Sequence, residues 1–383
     1  MYLFLITFLS LYGGMHCYAF IKLNSAFGLQ RHLRWLLILW MTFMTAIPIL
    51  VRLAEHLTIE KVALALAWPG YLWMGFIFIF TSLQLFSDLI YFLCRLINRM
   101  FSRQKPEYIS SRTIGRSVLI LALSASVYAF IEAGQIRSER VVIRSSKLPD
   151  SLSQIRIVQI SDVHIGLLLQ ESRLRRIAEE IRRAKPDILI STGDLVDGKL
   201  NRDDAISADN TLAALLASIP ADAGKFAVAG NHEVYAGLPQ AVAFTRAAGF
   251  TMLRNNSVRL TNGVTVTGID DQAVLARKHA DPAVENALLK SVSNDSFHIL
   301  LKHRPDIQPE SDGRFDLQLS GHVHGGQIFP FNFIVRLKHR IPCGTTTTGK
   351  GSRIHVSRGT GTWGPPMRLF APPEITIIDV VRE

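Results

Sequence analysis

Five short clusters in this 383-residue chain bring together side chains that hold metal ions or move protons: Asp162-Val163-His164, Gly193-Asp194-Leu195-Val196-Asp197, Gly230-Asn231-His232-Glu233, His303, and Gly321-His322-Val323-His324. Taken singly, each has a plain reading. Asp-x-His is an ordinary turn with a helix cap, and His-x-His is strand alternation that sets two imidazoles on one face. Taken together, they supply carboxylate, amide and imidazole donors with no thiolate, a set that suits Mn, Fe or Zn better than Ca.

Every cluster follows a short apolar run. IRIVQI (155–160), DILIS (187–191), KFAVA (225–229), FHILL (297–301) and LQLS (317–320) read as strands. The carboxyl ends of strands in α/β sheets are where sites are built, so five such ends would converge on one centre. Helical spacing over 171–183, 205–219, 238–248 and 282–291, with further strands over 264–268, 353–356 and 375–381, predicts an α/β sandwich of two mixed sheets flanked by helices. We place this domain over 151–383, after a linker over 136–150.

The first 135 residues are a different material. The whole chain is 48% hydrophobic and only 19% charged, with a mean hydropathy of +0.22, and the apolar excess is concentrated here. Apolar stretches over 2–21, 36–51, 71–93 and 118–133 predict about four transmembrane helices. Pro69 and Gly70 interrupt the long run 62–97, which reads as an interfacial lead-in followed by one span. Two spans there would turn the polar domain to the cytoplasm. Basic residues gather between spans one and two (Lys22, Arg31, Arg34) and between spans three and four (Arg95, Arg99, Arg103, Lys105, Arg112, Arg116). The positive-inside rule then predicts an integral membrane protein of the inner or plasma membrane, with its polar domain on the outer, periplasmic face if bacterial. His16 and Asp88 are the exceptional polar residues in this third and are given no role. Cys17, Cys94 and Cys343 offer no disulfide framework within the polar domain.

The motif set Asp162-x-His164, Gly193-Asp194-x-x-Asp197, Gly230-Asn231-His232-Glu233, His303 and Gly321-His322-x-His324 resembles the calcineurin-like metallophosphoesterases, from about Ile155 to the C-terminus. The later motifs, including Gly325-Gly326-Gln327 and Val356-Ser357-Arg358-Gly359, look like the membrane-associated YkuE/YaeI branch. The resemblance implies two divalent metal ions, Mn first with Fe or Zn as alternatives. It places Asp162, His164 and His324 on one metal and Asn231, His303 and His322 on the other, with Asp194 bridging. It also implies attack by a metal-bridging hydroxide, with His232 as acid or charge stabiliser oriented by Asp197. In the family's protein-phosphatase branch an Arg follows that second Asp, whereas Gly198 stands here, which argues against a phosphoprotein substrate.

The expected function is therefore hydrolysis of a phosphodiester or pyrophosphate bond, in a lipid-linked or envelope-related substrate beside the bilayer. The competing readings are a membrane receptor or transporter subunit with a structural metal site, and a membrane-tethered nuclease. Nucleic acid is disfavoured as a partner, because the polar part carries 31 basic against 26 acidic residues without a long basic groove. Lys302 and Arg358 are candidate phosphate contacts, each weighed against a simple solvated charge.

Overall fold

The computed structural model describes residues 2–101, 109–169, 171–198, 211–275, 282–293, 295–339 and 341–383. The chain divides into two compact units, Met1–Ile131 with Gly364–Leu369, and Glu132–Trp363 with Phe370–Glu383. Arg103, Lys105 and residues 205–210 of an expected helix lie outside the described residues.

The first unit is built from α1 (Tyr2–Phe27), α2 (Arg31–His56), α3 (Glu60–Phe101) and α4 (Ser111–Ala133). Helices α2, α3 and α4 are long and apolar enough to cross a bilayer, which makes this a membrane protein. Helix α3 corrects one expectation: it runs unbroken for 42 residues with Pro69 inside it, so Pro69 and Gly70 do not separate a lead-in from a span. A proline is tolerated inside membrane helices because neighbouring groups satisfy the backbone it releases. Gly70 has a packing reason, since a Cβ there would run into the Ile47 side chain of α2.

The polar residues of this unit pair with one another. Asp88 accepts from Tyr18 Oη at 2.6 Å, Lys22 Nζ at 2.7 Å and Gln84 Nε2 at 3.2 Å. His16 donates Nδ1–H to the Tyr12 carbonyl at 2.7 Å and accepts from Trp73 Nε1 at 2.9 Å. The segment Gly364–Leu369 joins this unit: Arg368 N–H donates to the Ala129 carbonyl at 2.8 Å, and Met367 packs at Gly75.

The second unit begins with β1 (Arg137–Arg144), within the segment expected as a linker. Strands β2 (Gln154–Ile160), β3 (Ile188–Ser191), β4 (Gly224–Ala227), β5 (Thr251–Met252) and the C-terminal β12 (Glu374–Val381) complete one sheet in the order β1-β12-β2-β3-β4-β5. β1 pairs parallel with β12, from Arg137 opposite Glu374 to Arg144 opposite Val381. The second sheet has the order β10-β11-β9-β8-β7-β6. Its strands are β6 (Asn256–Arg259), β7 (Thr265–Ile269), β8 (His298–Lys302), β9 (Leu317–Ser320), β10 (Gly344–Thr347) and β11 (Arg353–Val356). Both sheets mix parallel and antiparallel neighbours.

Strand alternation sorts the core into layers. Ile155 and Ile157 of β2 and Ile188 and Ile190 of β3 meet Ile299 and Leu301 of β8 and Leu317 and Leu319 of β9 between the sheets. On the outer face of the first sheet, Val158 and Ile160 pack with α5 (Glu171–Ala184), α6 (Thr211–Ala217) and, after α7 (Asn231–Ala236), α8 (Leu238–Ala247). On the outer face of the second, Leu300 packs with α9 (Pro282–Ser291) and α10 (Phe331–Lys338) through Leu289 and Val335. The result is the sandwich of two mixed sheets flanked by helices that strand and helix periodicity predict.

Candidate metal centre

Each candidate ligand lies just past a strand end: Asp162 and His164 after β2, Asp194 after β3, Asn231 at the start of α7 after β4, His303 after β8, His322 and His324 after β9. The backbone bends sharply there. Asp162, His164, Asp194, His322 and His324 have φ of 50°, 56°, 51°, 73° and 51°, five of the ten non-glycine residues described in this left-handed region. Such conformations cost about 1–3 kcal/mol each and persist where the surrounding structure imposes them, typically at functional sites. Gly193 serves the same convergence: at its φ of 97°, a Cβ would stand 2.7 Å from His303 Nδ1.

The bends bring the ligand atoms of Asp162, His164 and His324 within 4.8 Å of one another, and likewise those of Asp194, His303 and His322, and of His164, Asp197 and His232. His303 donates Nδ1–H to the Thr192 carbonyl at 2.9 Å, which directs its Nε2 toward Asp194 Oδ2 and His322 Nδ1, each at 3.1 Å. His164 Nε2 and His324 Nε2 are 3.2 Å apart, and His324 Nε2 is 3.4 Å from Asp162 Oδ1. Imidazole nitrogens and carboxylate oxygens grouped this closely can share a cation as ligands. Burial opposes charge on His303, yet Asp194 and Asp162 outweigh it and push its pKa up to about 10. Asn231 Oδ1 is buried and meets no hydrogen-bond donor. A buried acceptor without a donor, next in sequence to His232, together with the clustered imidazoles and carboxylates, fits divalent metal binding.

A further layer of contacts fixes the ligands. Asp162 accepts from Ser161 Oγ at 2.5 Å and from His322 N–H at 3.0 Å, and Asp194 Oδ1 accepts His232 N–H at 2.8 Å. Glu233 is the member of its motif to which sequence reasoning gave no role. Its buried carboxylate accepts the N–H groups of Asp194, Leu195, Val196 and Gly230 at 3.0, 2.7, 3.1 and 2.7 Å, tying the β3 and β4 ends together. Burial, reinforced by Asp194, pushes its pKa up to about 7. An acid three residues into a helix that opens on Gly230 is the available sequence signal.

His232 donates Nδ1–H to Asp197 Oδ1 at 2.9 Å, so Nε2 is its other working atom. Burial disfavours its charged form, but the Asp197 hydrogen bond and the Asp194 carboxylate raise its pKa above the ordinary value. Its ring centroid lies 4.7 Å from that of His164, 5.3 Å from Tyr235 and 5.7 Å from Trp363.

The two candidate phosphate cations are held elsewhere. Lys302 is buried against Glu285 at 2.8 Å and the Asp306 carbonyl at 2.7 Å, while Arg358 pairs with Glu139 and, at 2.7 Å, Glu374. Arg304, which sequence reasoning missed, is held by Asp271 at 2.7 Å and reaches His322 Nε2 at 3.0 Å. Its signal was position alone, directly after His303.

A sequence profile described as calcineurin-like phosphoesterase matches residues 155–326. The chain is 38% identical over 263 residues to an uncharacterized metallophosphoesterase of Aquifex aeolicus, covering 68% of this chain and 98% of that protein. It is 31% identical to the metallophosphoesterase YkuE of Bacillus subtilis, over 65% of this chain and 86% of that one. It is 30% identical to a transmembrane protein with metallophosphoesterase domain of Danio rerio, over 72% of this chain and 65% of that one, just under two thirds of its length.

Proposed function

We propose, for a chain that belongs to the calcineurin-like metallophosphoesterase family and is a metal-dependent phosphoester hydrolase, that this site cleaves a phosphodiester or pyrophosphate bond in a lipid-linked or envelope-related substrate. The observation that carries the reading is the gathering of Asp162, His164 and His324 in one group and of Asp194, His303 and His322 in another, the ligand atoms of each within 4.8 Å, with Asn231 Oδ1 buried and lacking a hydrogen-bond donor. Asp162, His164 and His324 would hold one divalent cation and Asn231, His303 and His322 the other, with Asp194 shared. Mn, or alternatively Fe or Zn, would supply Lewis-acid polarisation and an activated water.

The chain's own residues do the rest. Protonated at Nε2, His232 would give that proton to the leaving oxygen while Asp197 holds Nδ1–H and keeps the ring oriented. Arg304 offers a guanidinium to the anionic phosphoryl oxygens beside His322. Gly198 after Asp197 leaves out the cation with which the phosphoprotein branch grips its substrate. The helices α2, α3 and α4 anchor the enzyme to the bilayer, a reading supported by the transmembrane relative. The basic residues before Arg116 favour the outer face for the catalytic unit. Turnover of a lipid extract and a nucleotide-sugar panel by the purified full-length protein, with and without Mn²⁺, tests this. Metal-dependent cleavage of a diester or pyrophosphate is expected, and activity confined to simple phosphomonoesters would overturn it.

A further inference from the structure

Helix α10 shows water an apolar face that soluble surfaces rarely carry. Phe333, Ile334 and Leu337 are exposed, Leu337 at 88% of its surface, while Val335 alone turns into the core. At about 100° per residue, Phe333, Leu337 and Ile334 form one stripe with Arg336 at one edge and Lys338 at the other. The stripe continues through Phe329, whose ring lies 5.6 Å from Phe333 and 5.8 Å from Phe370, itself 70% exposed. Scattered exposed apolar residues need no explanation, whereas a contiguous patch of this kind marks an interaction surface.

Charge identifies the partner. On the helix itself Arg336 and Lys338 are both exposed, and no acidic residue lies between Asp316 and Glu374 in sequence. An apolar stripe edged by cations is the pattern of helices lying in the headgroup layer of an anionic bilayer. The helix also borders the metal centre at both ends. Gln327, just before it, exchanges hydrogen bonds of 2.9 and 3.0 Å with the backbone of Trp363, the neighbour of His232. His339, just after it, stacks edge-on to His322 at 6.1 Å between centroids.

We propose that α10, with Phe329 and Phe370, docks into the headgroup layer of an anionic bilayer and thereby holds the metal centre at the depth of lipid phosphates. The stripe would bury itself about 5–10 Å into the headgroup and acyl boundary. The inference does not depend on which bond the enzyme cleaves, and its test reads depth, not turnover.

The full-length chain, with Cys17, Cys94 and Cys343 replaced by Ser, would carry a nitroxide at Leu337→Cys or, as a water-facing control on α5, at Arg183→Cys. Both would be reconstituted into phosphatidylcholine vesicles containing phosphatidylglycerol. The Leu337 label should be relaxed by oxygen and protected from a water-borne nickel chelate, with the Arg183 label showing the reverse. Arg336→Glu with Lys338→Glu should move the Leu337 label toward the control. A Leu337 label as open to nickel as Arg183 would overturn the proposal. So would one shielded from both reagents, which would mean that α10 is covered by protein, either another protein or a second copy of the chain.

Discussion

The polar clusters of the two units are built from different groups. In the helical unit, Asp88 receives Lys22, Tyr18 and Gln84, and His16 sits between a carbonyl and the Trp73 N–H, so both are paired with groups of opposite character. In the α/β unit, His303, His322, His164 and His324 bring ring nitrogens together beside the Asp194 and Asp162 carboxylates. Complementary pairing is what a structural polar cluster needs inside a membrane. Grouped imidazoles and carboxylates are what a metal takes as ligands, so the kind of residue gathered separates anchor from active site more sharply than burial does.

The strongest way to break this contrast is Asp194→Ala, which should abolish metal-dependent hydrolysis of an aryl phosphodiester because, on the proposed assignment, it removes the carboxylate shared by both ligand sets. Parent-like turnover with two metals per chain by elemental analysis would show that Asp194 is not shared. His232→Ala should keep its metal and lose roughly 10²–10⁴-fold in kcat on a substrate with a poor leaving group, and less on a nitrophenyl ester that needs no proton. Loss of metal in that variant would make His232 a ligand, consistent with its closeness to His164 and Asp197.

Glu233→Gln and Asp197→Asn act one contact further out and should each cost about 10–100-fold in metal affinity or activity, Glu233 mainly the former and Asp197 mainly the latter. Isothermal titration and steady-state kinetics on the two variants distinguish them, and equal effects on both readouts would mean that neither residue has a separate role. The smallest effect belongs to the anchor. Asp88→Asn should lower stability by about 1 kcal/mol, in line with membrane polar contacts, and leave metal content as it is. A fall in bound metal after that change would erase the distinction between the two units.

The local chemistry of the site was legible because each cluster is contiguous in sequence and follows its own strand. Alternation placed β2, β8 and β9 within a residue or two, and the apolar run lengths marked the membrane helices. Strand β1 was not legible: RSERVVIR is largely exposed, and what makes it a strand is its pairing with β12 more than two hundred residues later. Lys302 likewise looks like a site cation until the fold brings Glu285 against it.

The sequence by itself determined which atoms could bind metal, that they would stand at strand ends, and that an apolar anchor precedes them, since residue type and short-range period are local properties. Tertiary structure alone decided that His303 and His322 face each other, that Glu233 ties the β3 end to the β4 end, that Arg304 and not Lys302 or Arg358 borders the ligands, and that Gly364–Leu369 belongs with the helices. The physical reason is range: an ion pair or a ligand cluster forms over about 3–4 Å in space between residues far apart in the chain, and no local pattern encodes which of several equivalent charges will arrive there.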